Sequence, residues 1–162
     1  MKCQECGKVM RKVQEEYRFT ESGLENVYLV GIQVFRCDDG HVTAKIPKMK
    51  DLLDAIGEAI VNKPESLTGQ EVRYLRKHMG LSAVNFAKRL GVDPATFSRW
   101  ENGARIGPTS DRLIRLCYAG LMGYQNAQRI INEFESLRDE ITMNRIEVRR
   151  SSREGYQASY AA

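Results

Sequence analysis

Leu81-Ser-Ala-Val-Asn-Phe-Ala-Lys-Arg-Leu-Gly-Val-Asp-Pro-Ala-Thr-Phe-Ser-Arg-Trp-Glu-Asn-Gly103 is the stretch that decides the fold of this chain. It reads as two short helices joined by a tight turn. Ser82 offers an N-cap oxygen, and Phe86, Ala87 and Leu90 recur behind it at helical spacing. Gly91 ends the first helix. Asp93-Pro94 opens the second, with a carboxylate at the N-cap and a proline at the position where a missing N–H costs nothing. At about 100° per residue, Phe97 and Trp100 fall on one side of that helix, and Ala95, Ser98 and Arg99 on the other. A helix backed by two aromatic rings, with small residues and one arginine outward, suits a DNA major groove.

Punctuation on either side extends the pattern. Thr68-Gly-Gln-Glu71 has the form of a capping box and starts a helix through about His78, with Val72, Leu75 and Met79 as its apolar stripe and Gly80 closing it. Gly107-Pro108-Thr109 breaks the chain and begins a fourth helix, for which Leu113, Leu116 and Cys117 form the expected inner face. Cys117 is thus read as a small buried hydrophobe. Charge follows the same boundary. Residues 68–120 hold nine basic and four acidic side chains, more than the whole chain's net +4, while the flanking segments nearly balance. A basic domain between neutral neighbours is what phosphate neutralisation needs.

Within it, Arg99 can donate two hydrogen bonds to guanine O6 and N7. Thr96, on the flank, is a base or phosphate contact; Ser98, Asn102 and Arg105 are phosphate contacts. Pro94 and Ala95 have no side-chain donor and suit thymine methyl groups or close approach. Gly91 to Gly103 resembles the second and third helices of the Xre/Cro-CI, or lambda-repressor-like, helix-turn-helix family, in a likeness spanning about residues 67–119. That resemblance implies base reading at Pro94, Ala95 and Arg99. It also implies a structural ion pair between Arg76 and Glu101, tying the first helix to the end of the third. Many relatives anchor a phosphate with a glutamine near the start of the second helix. Here that position is Ala83, which leaves the contact to Ser82 or Asn85.

The N-terminal segment follows a different logic. Cys3-Gln-Glu-Cys6-Gly7 has the spacing of a zinc knuckle, and Cys37-Asp-Asp-Gly40-His41 supplies a second half. Strands over residues 15–20 and 26–35, joined at Glu21-Ser-Gly-Leu24, would form a hairpin that brings the halves together. Cys3, Cys6, Cys37 and His41 then make a closed, structural zinc site, with Asp38 or Asp39 as alternative fourth ligands. So short a segment, with few large apolar side chains, needs such a staple.

The order of these parts narrows the resemblance. An N-terminal zinc segment holding Glu21-Ser-Gly-Leu-Glu-Asn-Val-Tyr-Leu-Val-Gly-Ile32, then Ile46-Pro47, a short helix and an Xre-type helix-turn-helix, is similar to the MqsA-type antitoxin and regulator family with a YgiT-type zinc finger. Gly40, where a fourth cysteine would stand, is the departure. The resemblance implies a sequence-specific repressor of its own operon, acting as a homodimer on a palindromic double-stranded DNA operator and pairing with a toxin protein. The alternative is a stand-alone zinc-containing regulator without a toxin.

The expected fold class is α+β. Residues 1–47 form a small zinc-bound β domain, and 48–67 a connecting helix (Leu52, Leu53, Ile56, Ile60) and polar linker. Residues 68–120 form an all-α helix-turn-helix domain. A C-terminal helix over 121–142 carries Ile130, Ile131, Phe134, Leu137 and Ile141, and either pairs with a second subunit or packs on its own domain. Residues 143–162 read as a mobile tail whose Arg145, Arg149, Arg150 and Arg153 are solvated. With two histidines, no glycine-rich phosphate loop and no open metal position, an enzyme is not expected. Reduced cysteines, no signal-peptide core and no long apolar run point to the cytoplasm and away from membranes.

Overall fold

The computed structural model describes residues 1–123, 127–138, 140–142, 144–151 and 155–161. Strands and helices share the chain, as an α+β reading expects, but the division between them differs. Among the described residues, seven strands form two sheets. In the first, β1 (Arg11–Val13), β4 (Gln33–Arg36) and β5 (Val42–Lys45) run antiparallel, in the order β1-β4-β5. In the second, β2 (Tyr17–Arg18) and β3 (Val27–Val30) are joined by β6 (Ile146–Ser151) and β7 (Gly155–Tyr160), in the order β2-β3-β6-β7.

The expected strand over residues 26–35 is broken at Gly31, whose φ of 75° belongs to the left-handed region that favours glycine. The bend passes the chain from one sheet to the other. The β2–β3 hairpin exists, with Tyr17 opposite Leu29. It is not what unites the two cysteine-bearing turns, however. That is done by β1, just after the first turn, pairing with β4, just before the second, in register Arg11 to Arg36.

The expected mobile tail over 143–162 is not borne out by its described residues, 144–151 and 155–161, which are built into a sheet. β6 lies parallel to β3, with Val27 opposite Ile146 and Leu29 opposite Val148, and β7 returns antiparallel along β6. Ile146 and Val148 are fully buried by that pairing. Arg145 stacks over the Tyr28 ring and pairs with Glu16, Arg149 pairs with Glu147, and Arg150 is exposed; Arg153 lies outside the described residues.

Helix α1 (Met49–Asn62) joins the sheet to the helical half. Its apolar stripe buries Leu52, Ile56 and Ile60 under β7 and β6, while its other side meets α2 (Gly69–His78) and α5 (Pro108–Leu121). At the crossing with α5, a Cβ on Gly57 would sit 1.8 Å from the Tyr118 hydroxyl, so only glycine admits this approach. Helices α3 (Ala83–Leu90) and α4 (Pro94–Glu101) complete the bundle. Phe86, Phe97, Leu75, Val72 and Ile114 form its dry centre.

Two further expectations need correction. On α5 the buried residues are Asp111, Ile114, Arg115, Tyr118 and Ala119; Leu113 is exposed, and Leu116 and Cys117 are half-buried. The inner face is rotated because Arg115, not a leucine, is the residue the core needs. Its guanidinium donates to the carbonyls of Val61 (3.0 Å), Lys63 (2.6 Å) and Glu65 (2.6 Å), and Nε to Asp111 (2.6 Å), whose other oxygen accepts Leu67 N–H at 2.6 Å. The stretch read as a polar linker is therefore wrapped round a buried cation. Likewise, the long C-terminal helix shortens to α6 (Ala127–Asn132), followed by a 3-10 turn at Glu133–Ser136. Ile130 enters the core and Phe134 packs beside it, whereas Ile131 and Ile141 are exposed. The chain then runs back along the linker, where Arg138 N–H donates to Pro64 O and Ser66 N–H to Glu140 O, on its way to β6.

Candidate nucleic-acid interface and metal centre

Helix α4 is set from both ends and from behind. The Asp93 carboxylate accepts N–H bonds from Ala95 (2.9 Å) and Thr96 (3.2 Å), and Pro94 takes the first helical position. Phe97 is fully buried and meets Phe86 edge-on at a centroid distance of 5.3 Å, with Trp100 tilted against it at 6.1 Å. The opposite face carries Pro94, Ala95, Ser98 and Arg99, all exposed, with Thr96 half-buried at its margin. Arg99 donates to the Thr96 hydroxyl within its own helix, at 2.9 Å, and is exposed to solvent. Asn102 and Arg105 are exposed beyond the helix end. Ser82 caps α3 by accepting Asn85 N–H at 3.1 Å, and Asn85 itself is exposed.

Arg76 and Glu101 meet in the described structure. Arg76 Nε and Nη2 reach the two Glu101 oxygens at 2.6 and 3.1 Å, and Nη1 donates to Leu81 O at 2.9 Å. Planar guanidinium and carboxylate fit in such a two-point contact. Sequence reading missed Arg73, one turn earlier on α2. It donates to the Glu101 carbonyl and to the Asn102 side chain, both at 3.1 Å, so the end of α4 is held by two arginines. Its i, i+3 spacing from Arg76 was the available signal. Beside them α2 approaches α4 so closely that a Cβ on Gly69 would lie 2.3 Å from Trp100 O.

The second site lies on the three-stranded sheet. Residues 3–7 and 37–41 form two tight turns, closed by Gly7 N–H to Cys3 O (3.0 Å) and Gly40 N–H to Cys37 O (3.0 Å), with both glycines at positive φ. One ligand atom each from Cys3, Cys6, Cys37 and His41 lies within 4.8 Å of all the others. His41 Nδ1 is 3.6 Å from Cys3 Sγ and 3.5 Å from Cys37 Sγ, and Cys6 and Cys37 sulfurs are 3.6 Å apart. A tetrahedron with metal–sulfur bonds of about 2.3 Å and metal–nitrogen bonds of about 2.0–2.1 Å has edges of about 3.5–3.8 Å. The observed edges match, and the residues fit a four-coordinate metal ion. Backbone N–H groups of Cys6 and Glu5 hold the Cys3 thiol down to about 7. Burial and the neighbouring Cys3 and Cys37 sulfurs push Cys6 up to about 12, as expected where clustered thiols share protons until an ion replaces them.

The two carboxylates that competed with His41 on paper are engaged elsewhere. Asp38 pairs with Arg11 at 2.6 Å and Asp39 with Lys8 at 2.5 Å. A residue not singled out from sequence, Glu5, reaches His41 Nε2 at 3.1 Å. The apolar support of this sheet is small: Cys3, Met10 and Cys37 are its buried cluster, with Cys6 and Phe35 against it, and Val34 of β4 is buried as well.

Comparison with known proteins agrees with the helical geometry. Residues 72–117, from within α2 to near the end of α5, match the helix-turn-helix family model HTH_3. The match suggests a DNA-binding transcriptional regulator. No curated protein and no solved structure matches the chain. Among the described residues, no helix is long and apolar enough to cross a membrane.

Proposed function

We propose that this protein is a zinc-containing transcriptional repressor that reads its operator with α4. The observation that carries the reading is the exposed Ala95–Ser98–Arg99 face, held rigidly by Phe97, Trp100 and the Arg76–Glu101 pair within a matched helix-turn-helix segment. Arg99 addresses guanine, and Pro94, Ala95 and Thr96 pack against neighbouring base edges. Ser98, Asn102, Arg105, Ser82 and Asn85 face the sugar-phosphate chains and fix the docking angle. The zinc ion is held by Cys3, Cys6, Cys37 and His41, where it supplies cross-linking rather than chemistry, its four positions being filled by protein. No catalytic step belongs to this reading.

A single recognition helix touches few base pairs, so the repressor acts as a homodimer on a palindromic operator. Leu113 and Leu121, both exposed on α5 beside the half-buried Leu116 and Cys117, support self-association there. The C-terminal helix is a poorer candidate, since Ile130 of α6 is buried in its own chain.

In the antitoxin form of the proposal, the zinc-bearing sheet holds a toxin while the helical half represses the shared operon in the cytoplasm. Its support is the order of parts, zinc turns before helix-turn-helix. A regulator without a toxin is favoured by one observation: β6 and β7 extend the β2–β3 hairpin and pack against α1, so that part of the N-terminal segment is built into the helical half. Selection of bound sequences from random duplex DNA, with zinc analysis of the same preparation, tests the common core. The expected result is a palindrome with half-site centres about 10 base pairs apart and stoichiometric zinc. Binding without sequence preference would refute it. Co-purification with the product of an adjacent small reading frame separates the two forms.

A further inference from the structure

We infer that Glu5 is the positioning residue of the metal centre: its carboxylate accepts the Nε2–H of His41 and so leaves Nδ1 free to ligate. The inference rests on the reading of Cys3, Cys6, Cys37 and His41 as a metal site. A neutral imidazole has one N–H and one lone pair, and the ligating nitrogen must carry the lone pair. Here the two ring nitrogens face different partners. Nδ1 faces the Cys3 and Cys37 sulfurs at 3.6 and 3.5 Å, and Nε2, on the far edge, faces Glu5 Oε2 at 3.1 Å. A hydrogen-bonded carboxylate there fixes both tautomer and ring rotation, and makes the imidazole a stronger donor to the ion.

The position of Glu5 gives the contact a second consequence. It lies between Cys3 and Cys6 in the first turn, whereas His41 closes the second, so the pair ties the two halves together beside the metal. The second turn has no carboxylate to spare for its own histidine. Asp38 and Asp39 instead reach across to Arg11 and Lys8 of the first half. Each half thus supplies charges to the other. Without Glu5, the Nε2–H would turn to solvent, because the His41 side chain is about a third exposed (36%). With Glu5 itself 72% exposed, the effect belongs at the lower end of what such partners contribute, about tenfold in metal affinity.

Zinc affinity of the full-length protein, measured by competition with a chromogenic chelator, tests this directly. Glu5→Ala should weaken binding about tenfold, and Glu5→Gln, which keeps an acceptor oxygen, should recover part of the loss. In a His41→Cys background, where no imidazole needs orienting, Glu5→Ala should cost nothing. An equal loss in both backgrounds would make Glu5 a mere nearby charge and overturn the inference, as would no loss in the native site. Long-range 1H–15N spectra of zinc-loaded native protein give an independent readout. They should show His41 protonated at Nε2 and metal-bound at Nδ1; coordination through Nε2 would overturn the assignment. Native protein that takes up no zinc would refute the metal site itself, an outcome distinct from a zinc site indifferent to Glu5.

Discussion

The helix-turn-helix half and the cysteine-bearing sheet are held together in opposite ways. In the helical half, Val72, Leu75, Phe86, Phe97 and Ile114 are fully buried against one another, and burial of large side chains at about 1.5–3 kcal/mol each provides the cohesion. The three-stranded sheet has two of the three site cysteines and one methionine at its centre, and a ring of exposed ion pairs outside. Exposed pairs contribute little, about 0–1 kcal/mol each. The contrast teaches where a bound ion would matter: at Cys3, Cys6, Cys37 and His41 it would stand in for a core where the chain is too short to build a large one.

The largest effect expected from this contrast is selective. Removing zinc with a chelator should strip amide-exchange protection from β1, β4 and β5 while α2–α5 keep theirs, since binding a structural zinc contributes about 10 kcal/mol or more to small domains. A zinc-free sheet that stays protected would break the comparison. Next comes Glu101→Gln, which leaves the Arg76 guanidinium without its countercharge. We expect a loss of about 3 kcal/mol in unfolding free energy from denaturant titration, with zinc content unchanged; a loss below about 1 kcal/mol would place the pair among surface salt bridges.

A third test sharpens the boundary between the halves. The Tyr160 hydroxyl on β7 donates to Glu71 Oε1 at 2.6 Å, and Lys63, wholly buried, holds the other Glu71 oxygen at 2.7 Å. Glu71 also receives Thr68 N–H in the capping box of α2, so one carboxylate joins the linker, the last strand and the first helix of the DNA-binding segment. Tyr160→Phe should cost about 2 kcal/mol and lower the melting temperature of the helical half along with that of the sheet. If only the sheet responds, the halves are not coupled through this residue.

The smallest effect is in pH. Burial lowers the pKa of His78, which outweighs its attraction to Asp54; the ring sits between Asp54 Oδ1 at 3.1 Å and the Tyr118 hydroxyl at 2.7 Å. Its folded pKa lies below its unfolded one, so the unfolded chain binds the extra proton. Stability from this group is complete above about pH 6.5 and is lost as pH falls through the folded value. Thermal melts from pH 7.5 to 5.5 should show a shallower decline in His78→Gln than in native protein. Identical slopes would exclude His78 as a contributor.

What could be read in the sequence follows from how local each signal is. Capping groups, glycine stops and aromatic spacing lie within one turn of the residues they control, so α2, α3 and α4 were legible almost to the residue, as was the four-residue metal cluster. The β3–β6 pairing was not. It joins Val27 to Ile146 in parallel, and the alternation of Ile146 and Val148 is hidden among Arg145, Arg149 and Arg150, whose charges suggest a solvated tail. The buried linker was missed for a related reason. Lys63, Glu65 and Arg115 look like surface residues until Glu71 meets the Lys63 ammonium and the Arg115 guanidinium finds the Lys63 and Glu65 carbonyls 52 and 50 positions away. On α5 the same substitution of a buried guanidinium for a leucine turned the inner face away from Leu113.

Binding of the selected operator by native protein and Arg99→Ala, across a series of salt concentrations, tests the central claim most directly. The account predicts a loss of about 1–3 kcal/mol confined to one guanine per half-site, relaxed preference there, and a nearly unchanged salt slope, because a base contact rather than a phosphate contact has been removed. Unchanged affinity and unchanged base preference at every salt concentration would contradict it.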